Sequence, residues 1–191
     1  MKAGAVLMAA GAAVRFGSNK LLYPVDGVPM IERAFANLPP DLFARACVVS
    51  CYPEILARAE ANGFQPVFNP SPEEGQSVSV RLGLSELTDM DGVLFSVCDQ
   101  PWLRRGSVER LLADFTVHPR CICALSWRGV RGSPAVFPRD LFPALLALTG
   151  DRGGGGIIRE NGDRLRLVEV SSPMELQDVD IKPAAPRKIN Y

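Results

Sequence analysis

The 191-residue chain is 47% hydrophobic and 22% charged, and its 21 basic and 21 acidic residues cancel to a formal net charge of zero. That balance supplies no global attraction to nucleic acid or an anionic membrane surface, and no run of about 18 apolar residues is present to form a transmembrane helix. A chain of this length buries roughly 70% of its unfolded surface without staples. Its five cysteines (Cys47, Cys51, Cys98, Cys121 and Cys123) sit in or beside apolar runs and read as reduced thiols of a cytoplasmic protein.

In chain order, residues 5–9 read as a strand rather than a signal-peptide core, because the run continues into Arg15 and Lys20 without a cleavage-type spacing. A helix follows over 29–37, then a strand over 46–51 and a helix over 53–62 that Pro53 starts and Gly63 stops. Next come a short strand at 66–69, a helix over 77–87 with Ser77 as its cap, an apolar strand at 92–98 and a helix over 105–115. This alternation predicts a mostly parallel sheet covered on both faces. After residue 120 the texture changes to strands at 121–127, 134–138 and 165–170 with a helix over 139–148, predicting an antiparallel edge from the C-terminal half. No repeat or long linker divides the chain, so residues 1–183 are expected to form one domain, with a basic, Pro-rich tail at 184–191.

Ligands of open α/β sheets bind at the carboxyl ends of strands. Three polar segments fall there: the loop 10–20, the segment 69–77 and Asp99-Gln100-Pro101. The first loop is neither a Walker A motif nor a GxGxxG fingerprint. Its small residues still let backbone N–H groups approach an anion, and Arg15 and Lys20 supply fixed positive charge. An ordinary turn with two solvated cations is the alternative. Asp99, ending an apolar strand, suits Mg²⁺ bound with phosphate oxygens, or else caps the helix that follows. Asp178 and Asp180 offer a second carboxylate, or a solvated surface pair. Gly75 and Ser77 open a helix whose N-terminus favours polar or anionic groups. The single histidine, His118, leaves little scope for Ser-His-Asp chemistry.

The stretch LMAAGAAVRFGSNKLL, followed in order by GQSVSVRLGL, VCDQPWL, GSPAVFPRDLFPALLALTGDRGG and DVDIKP, resembles the molybdenum cofactor cytidylyl- and guanylyltransferases of the MobA-like NTP transferase family. The resemblance spans residues 4–183. It implies a three-layer, Rossmann-like α/β fold of GT-A type. It also implies a Mg²⁺- or Mn²⁺-dependent transfer of a nucleoside monophosphate to the terminal phosphate of molybdopterin, with release of pyrophosphate. Ala9-Ala10-Gly11 resembles the cytidylyl enzymes, implying CTP. The implied nucleotide-binding set is Ala9, Ala10, Gly11, Ala12, Arg15, Lys20, Gly75, Ser77 and Asp99, with Lys20, Arg15 and Asp99 catalytic and Asp99 and Asp180 on the metal. Gln100, Pro101, Gly132, Ser133 and Asp151 are the implied acceptor-binding residues. The partners implied are the NTP, the pterin acceptor and a client molybdoenzyme, with no nucleic acid and no membrane. The chain departs from the family pattern at Ala12-Ala13, at Ser133 and at Gly154-Gly155, where Ala-Arg is usual. Guanylyl transfer, another phosphate acceptor on the same fold, a non-catalytic cofactor carrier and an NAD(P)-dependent oxidoreductase are the alternatives; the missing GxGxxG opposes the last.

Overall fold

A computed structural model describes residues 1–11 and 19–180. The strands are β1 (Ala3–Met8), β2 (Pro24–Val25), β3 (Val28–Pro29), β4 (Arg45–Ser50), β5 (Gln65–Phe68), β6 (Gly92–Val97), β7 (Ile122–Trp127), β8 (Val130–Pro138) and β9 (Leu165–Glu169). The α-helices are α1 (Met30–Asn37), α2 (Pro53–Ala61), α3 (Gln76–Ser85), α4 (Arg105–Val117), α5 (Phe142–Leu146) and α6 (Gly155–Glu160).

Seven strands form one sheet in the order β5-β4-β1-β6-β8-β7-β9, while β2 and β3 form a separate hairpin. The pairs β1/β4, β1/β6, β4/β5 and β7/β9 are parallel. β8 runs against both β6 and β7, so the antiparallel part of the sheet is an internal strand rather than its edge. From β1 the chain moves outward to β4 and β5, then returns to lay β6 on the other side of β1. That reversal opens a crevice at the carboxyl ends of β1 and β6, where such sheets bind ligands.

Alternation along the strands divides the core into two layers. Ala5 and Leu7 of β1, Val48 of β4 and Leu94 of β6 pack with Ile31 of α1, Ile55 of α2 and Leu111 of α4. Val6, Val49 and Phe95 face the other way, onto Leu84 of α3, Leu145 of α5 and Ile157 of α6. Burial on both faces is why these strands read as continuous apolar runs.

Five local features depart from the sequence reading. Helix α3 starts at Gln76, with Gly75 in the cap position and no side-chain cap, so Ser77 does not cap it. The segment 139–148 is a 3₁₀ turn at Arg139–Leu141 followed by the short α5. β8 begins at Val130, earlier than the strand expected at 134–138, because Arg128 (φ 49°) and Gly129 (φ 77°) make a tight reversal straight out of β7. Helix α6 and the β2/β3 hairpin were not anticipated. No helix among the described residues is long and apolar enough to cross a membrane.

Candidate active site

The crevice between β1 and β6 opens into a cleft of about 700 Å³. Its walls are Met8–Gly11 after β1, Lys20 and Leu21, Pro72–Gln76 before and into α3, Val97–Asp99 after β6, and Gly150 and Asp151. The first wall is fixed by the sheet. Ala9 donates its N–H to Val49 O (2.8 Å), and the buried Ser50 hydroxyl donates to Ala9 O (2.9 Å). The second is fixed by buried Asn69, which donates to Ser79 Oγ (3.1 Å) and accepts from Ser71 N (2.9 Å). Gly75 is required there twice over. Its φ is +98°, and a Cβ would lie 2.6 Å from the backbone of Gly150 and Asp151. Ser77 N and Gln76 N donate to Gly150 O and Asp151 Oδ1, each at 3.3 Å, closing the rim.

At the end of β6, Lys20 Nζ lies 2.5 Å from Asp99 Oδ2 and 3.3 Å from Asp180 Oδ1. The Lys20 and Asp99 side chains are each 17% exposed, that of Asp180 65%. Burial alone would lower the Lys20 pKa. The hydrogen bonds and charges of Asp99 and Asp180 outweigh it, and the ammonium is held above its ordinary range. Asn19 Oδ1 accepts from Leu21 N (3.1 Å) and fixes the turn that aims Lys20. Asp99 does not cap α4, whose cap position is Arg104. Instead its Oδ1 is buried without a partner among the described residues.

The segment carrying Asp178 and Asp180 is tied down at several points. Val179 N donates to Asp99 O (2.9 Å), and Val179 packs with Val25 and Met30. Gln100 Nε2 donates to Asp178 Oδ1 (2.9 Å) and Leu176 O (3.3 Å). Upstream, Glu175 is fully buried and accepts from the Ser107 hydroxyl (2.5 Å) and Ser171 N (3.0 Å). Partial burial, and then the negative charge of Asp99, push the Asp178 carboxyl above its usual range. Among the described residues no group of three or more His, Cys, Asp or Glu side chains could hold a metal. Asp99 and Asp180 supply two carboxylates, the donor set that Mg²⁺ takes when phosphates and water complete its shell. The five thiols are unbridged. Burial pushes Cys47 up to about 12 and raises Cys98, which leaves neither as a thiolate nucleophile.

A second chamber of about 910 Å³ shares Met8, Gln76, Val97 and Asp151 with the first as a common wall. Gly132 and Ser133 of β8, Phe95, Phe137, Ala144 of α5, and the run Gly153–Gly156 leading into α6 line it, with Arg131, Arg152 and Arg159 around it.

Of the residues proposed from sequence, Ala9, Ala10, Gly11, Lys20, Gly75, Asp99 and Asp151 meet in the first cleft, and Asp180 reaches it through Lys20. Gly132 and Ser133 line the second chamber. Ala12 and Arg15 lie outside the described residues. Ser77 is fully buried behind the rim, with its hydroxyl facing Arg81 (3.4 Å), and lines neither chamber. Gln100 and Pro101 are likewise buried off both walls, because the Gln100 amide is engaged with Asp178 and Leu176. Glu73, Glu74 and the three arginines were not singled out from sequence, and none carries a spacing signature that would have marked it.

The family model for the MobA-like NTP transferase domain matches residues 5–165. Among characterised sequences, the chain is 28% identical to the purine catabolism protein PucB of Bacillus subtilis, over 89% of this chain and 92% of that one. It is 30% identical to the molybdenum cofactor guanylyltransferase of Rhodobacter capsulatus, over 62% of each chain. Among solved structures, Rv0371c of Mycobacterium tuberculosis superposes with a TM-score of 0.80 at 22% identity, covering 95% of this chain and 93% of that chain. Rv0371c in complex with manganese superposes at 0.71, with 20% identity and 89% of each chain covered. A nucleotidyl transferase of Methanothermobacter, Mth528, superposes at 0.77 with 23% identity, covering 94% of this chain and 92% of that chain. The GT-A-like α/β fold expected from the sequence is therefore the fold observed.

Proposed function

Since the chain belongs to the MobA-like NTP transferase family, we propose that it transfers CMP from CTP to the terminal phosphate of molybdopterin with release of pyrophosphate. The observation that carries this reading is Lys20 set between Asp99 and Asp180 at the mouth of the cleft that Ala9–Gly11 and Gly75 line. One cation at the centre of two carboxylates, beside a bare backbone loop, suits a triphosphate that arrives with a divalent metal.

Asp99 and Asp180 would hold Mg²⁺ or Mn²⁺, and the orphaned Oδ1 of Asp99 is a ready acceptor for it. When bound, the metal supplies neutralisation of the triphosphate and polarisation of the α-phosphoryl group. Gly11 and its neighbours offer backbone N–H groups to the phosphates, and Arg15 holds the β and γ oxygens. The acceptor's phosphate oxygen attacks the α-phosphorus in line. The bond from the α-phosphorus to the bridging oxygen of the β-phosphate breaks, and pyrophosphate leaves with that electron pair. The attacking oxygen is already ionised, so no base is needed, in keeping with a chain whose one histidine, His118, lies at the C-terminal end of α4. Lys20, released from its carboxylates, takes up the charge that develops on the α-phosphate.

Ala10 lines the cleft, and the likeness of Ala9-Ala10-Gly11 to the cytidylyl enzymes is what favours CTP in this reading. The guanylyltransferase relative supports a second reading, GMP from GTP. Incubation with Mg²⁺, molybdopterin and each NTP in turn separates the two. A cytosine dinucleotide and one pyrophosphate per turnover are expected with CTP, a guanine dinucleotide with GTP moves the assignment to the second reading, and no product with any NTP refutes both.

A further inference from the structure

We infer that the second chamber seats an acceptor with a flat, apolar-faced body and a second anionic group besides its attacking phosphate, gripped by Arg131 and Arg159 with Arg152 at the rim. The inference deepens the reading above and rests on it for the identity of the acceptor. In molybdopterin the second anion is the dithiolene.

Arg131, Arg152 and Arg159 have no side-chain hydrogen-bond or ion-pair partner among the described residues. Several arginines elsewhere on the surface are paired, as Arg58 is with Glu32, Arg105 with Asp41 and Arg164 with Asp140, and the exposed Arg104 and Arg120, which are not paired among the described residues, line neither chamber. Three unsatisfied guanidiniums at one cavity present planar donor forks, suited to two-point recognition of an anion.

The floor beneath them is bare for no reason internal to the fold. Neither Gly155 nor Gly156 has a positive φ. A Cβ at Gly155 would come no nearer than 3.7 Å, to Arg131 Nη2, and one at Gly156 no nearer than 3.9 Å, to Arg159 Nη2. Both are ordinary contacts, so alanine fits and would favour the helix. Gly154 differs, because a Cβ there would lie 2.4 Å from the Phe137 ring. What glycine preserves at 155 and 156 is open space directly under two guanidiniums. Across the chamber, Phe95 and Phe137 meet edge to face with centroids 5.8 Å apart and give an apolar wall for a ring system.

The two chambers also differ in charge. The first sets Lys20 against Glu73, Glu74, Asp99 and Asp151, so it takes an anion in company with a metal. The second sets three arginines against Asp151 and Glu160, and Asp151 is already engaged by Gln76 N. It can take an anion directly.

Two measurements test this. In the CTP–molybdopterin assay, the R131A/R159A double variant should raise the KM for molybdopterin by roughly 10–100-fold and leave that for CTP within about twofold, the loss expected for hydrogen bonds to a charged group. Gly156→Ala should raise the molybdopterin KM while the Tm holds or rises, which a merely structural glycine would not do. The second measurement needs no molybdopterin. The fluorescent sulfonate 8-anilinonaphthalene-1-sulfonate, apolar-faced and anionic, should bind the wild type about tenfold or more tightly than the double variant and should not be displaced by Mg²⁺–CTP. If the wild type turns over no NTP with molybdopterin, the reading above fails and the sulfonate measurement alone decides the chamber. Unchanged sulfonate affinity in the double variant overturns the inference. So does a rise confined to the KM for CTP, which would put the triphosphate in this chamber instead.

Discussion

Lys20 and Asp99 stand 79 residues apart in sequence and 2.5 Å apart in space, and neither side chain is more than 17% exposed. In the function proposed above, the Lys20 ammonium occupies carboxylates that a metal would take. Lys20→Ala is expected to lower kcat by about 10²–10³, the usual loss for one fixed donor at a developing charge, with the sheet intact by circular dichroism. The pair also has a pH signature. Because the Lys20 pKa is raised by folding, its stabilising contribution is fully present below the ordinary 10.5 and is lost as the pH rises through the folded value. Wild type and Lys20→Met should therefore differ in Tm at neutral pH and converge under strongly alkaline conditions.

The two C-terminal aspartates should separate cleanly. Asp180 faces Lys20, whereas Asp178 is turned to Gln100. Asp180→Asn is expected to raise the Mg²⁺ concentration for half-maximal rate at least about 10–100-fold, the loss typical of removing even an outer partner of a metal ligand. Asp178→Asn should leave it unchanged. The Asp178 carboxyl titrates above its ordinary 3.8 in the fold, so its charged form costs stability at neutral pH. Asp178→Asn should raise the Tm at pH 7, and that gain should vanish below pH 3.8.

Gly75 admits no side chain. Gly75→Ala meets both a backbone conformation that L residues avoid and a contact of 2.6 Å with the Gly150–Asp151 backbone. Strain of this kind costs about 1–3 kcal/mol before the clash is counted. Thermal unfolding should show at least that loss. Isothermal titration should show weakened Mg²⁺–CTP binding, because the rim of the first cleft must move.

Glu175 touches neither chamber, yet it anchors the segment that carries Asp178 and Asp180. Glu175→Ala leaves the Ser107 hydroxyl and Ser171 N–H short of an acceptor, at about 1–3 kcal/mol for buried groups. Glu175→Gln keeps an acceptor oxygen and should recover part of it. If the anchor is what positions Asp180, the alanine variant will also need more Mg²⁺ for half-maximal rate, a change that lost stability alone would not produce.

At position 10 one methyl group is at issue. Ala10→Gly should raise GTP use relative to CTP by about 10–200-fold, the discrimination a single methylene supplies in a pocket. Initial rates with the two nucleotides check it, and an unchanged ratio removes Ala10 from base selection.

Legibility in the sequence followed the physics of each segment. Gly11, Gly75 and Asp99 could be found because strand ends of a parallel sheet converge, so three separated loops point to one place. Ser77 misled because serine near a helix start usually caps it; here Gly75 takes the cap, and the hydroxyl turns inward to Arg81. Gln100 and Pro101 are implied as acceptor-binding by the resemblance of VCDQPWL to the family's D-Q-P segment, whereas here Gln100 braces the C-terminal segment. The β7–β8 reversal escaped notice because Arg128, not asparagine or aspartate, adopts the positive φ ahead of Gly129. Helix α6 escaped because a run of glycines lowers helix propensity; the burial of Ile157 and Ile158 overrides it. Arg131, Arg152 and Arg159 come from a strand, a loop and a helix, so no spacing joins them before the chain is folded.

The tether from Glu175 through Val179 to Asp99 has a consequence for biosynthesis. All seven strands of the main sheet lie before residue 170, so every hydrogen-bonded strand has been synthesised before Asp180 exists. A chain still emerging from the ribosome can thus hold Ala9, Lys20 and Asp99 close together while the second carboxylate is missing. The order of translation keeps the proposed metal pair incomplete until the rest of the sheet is available to shelter it.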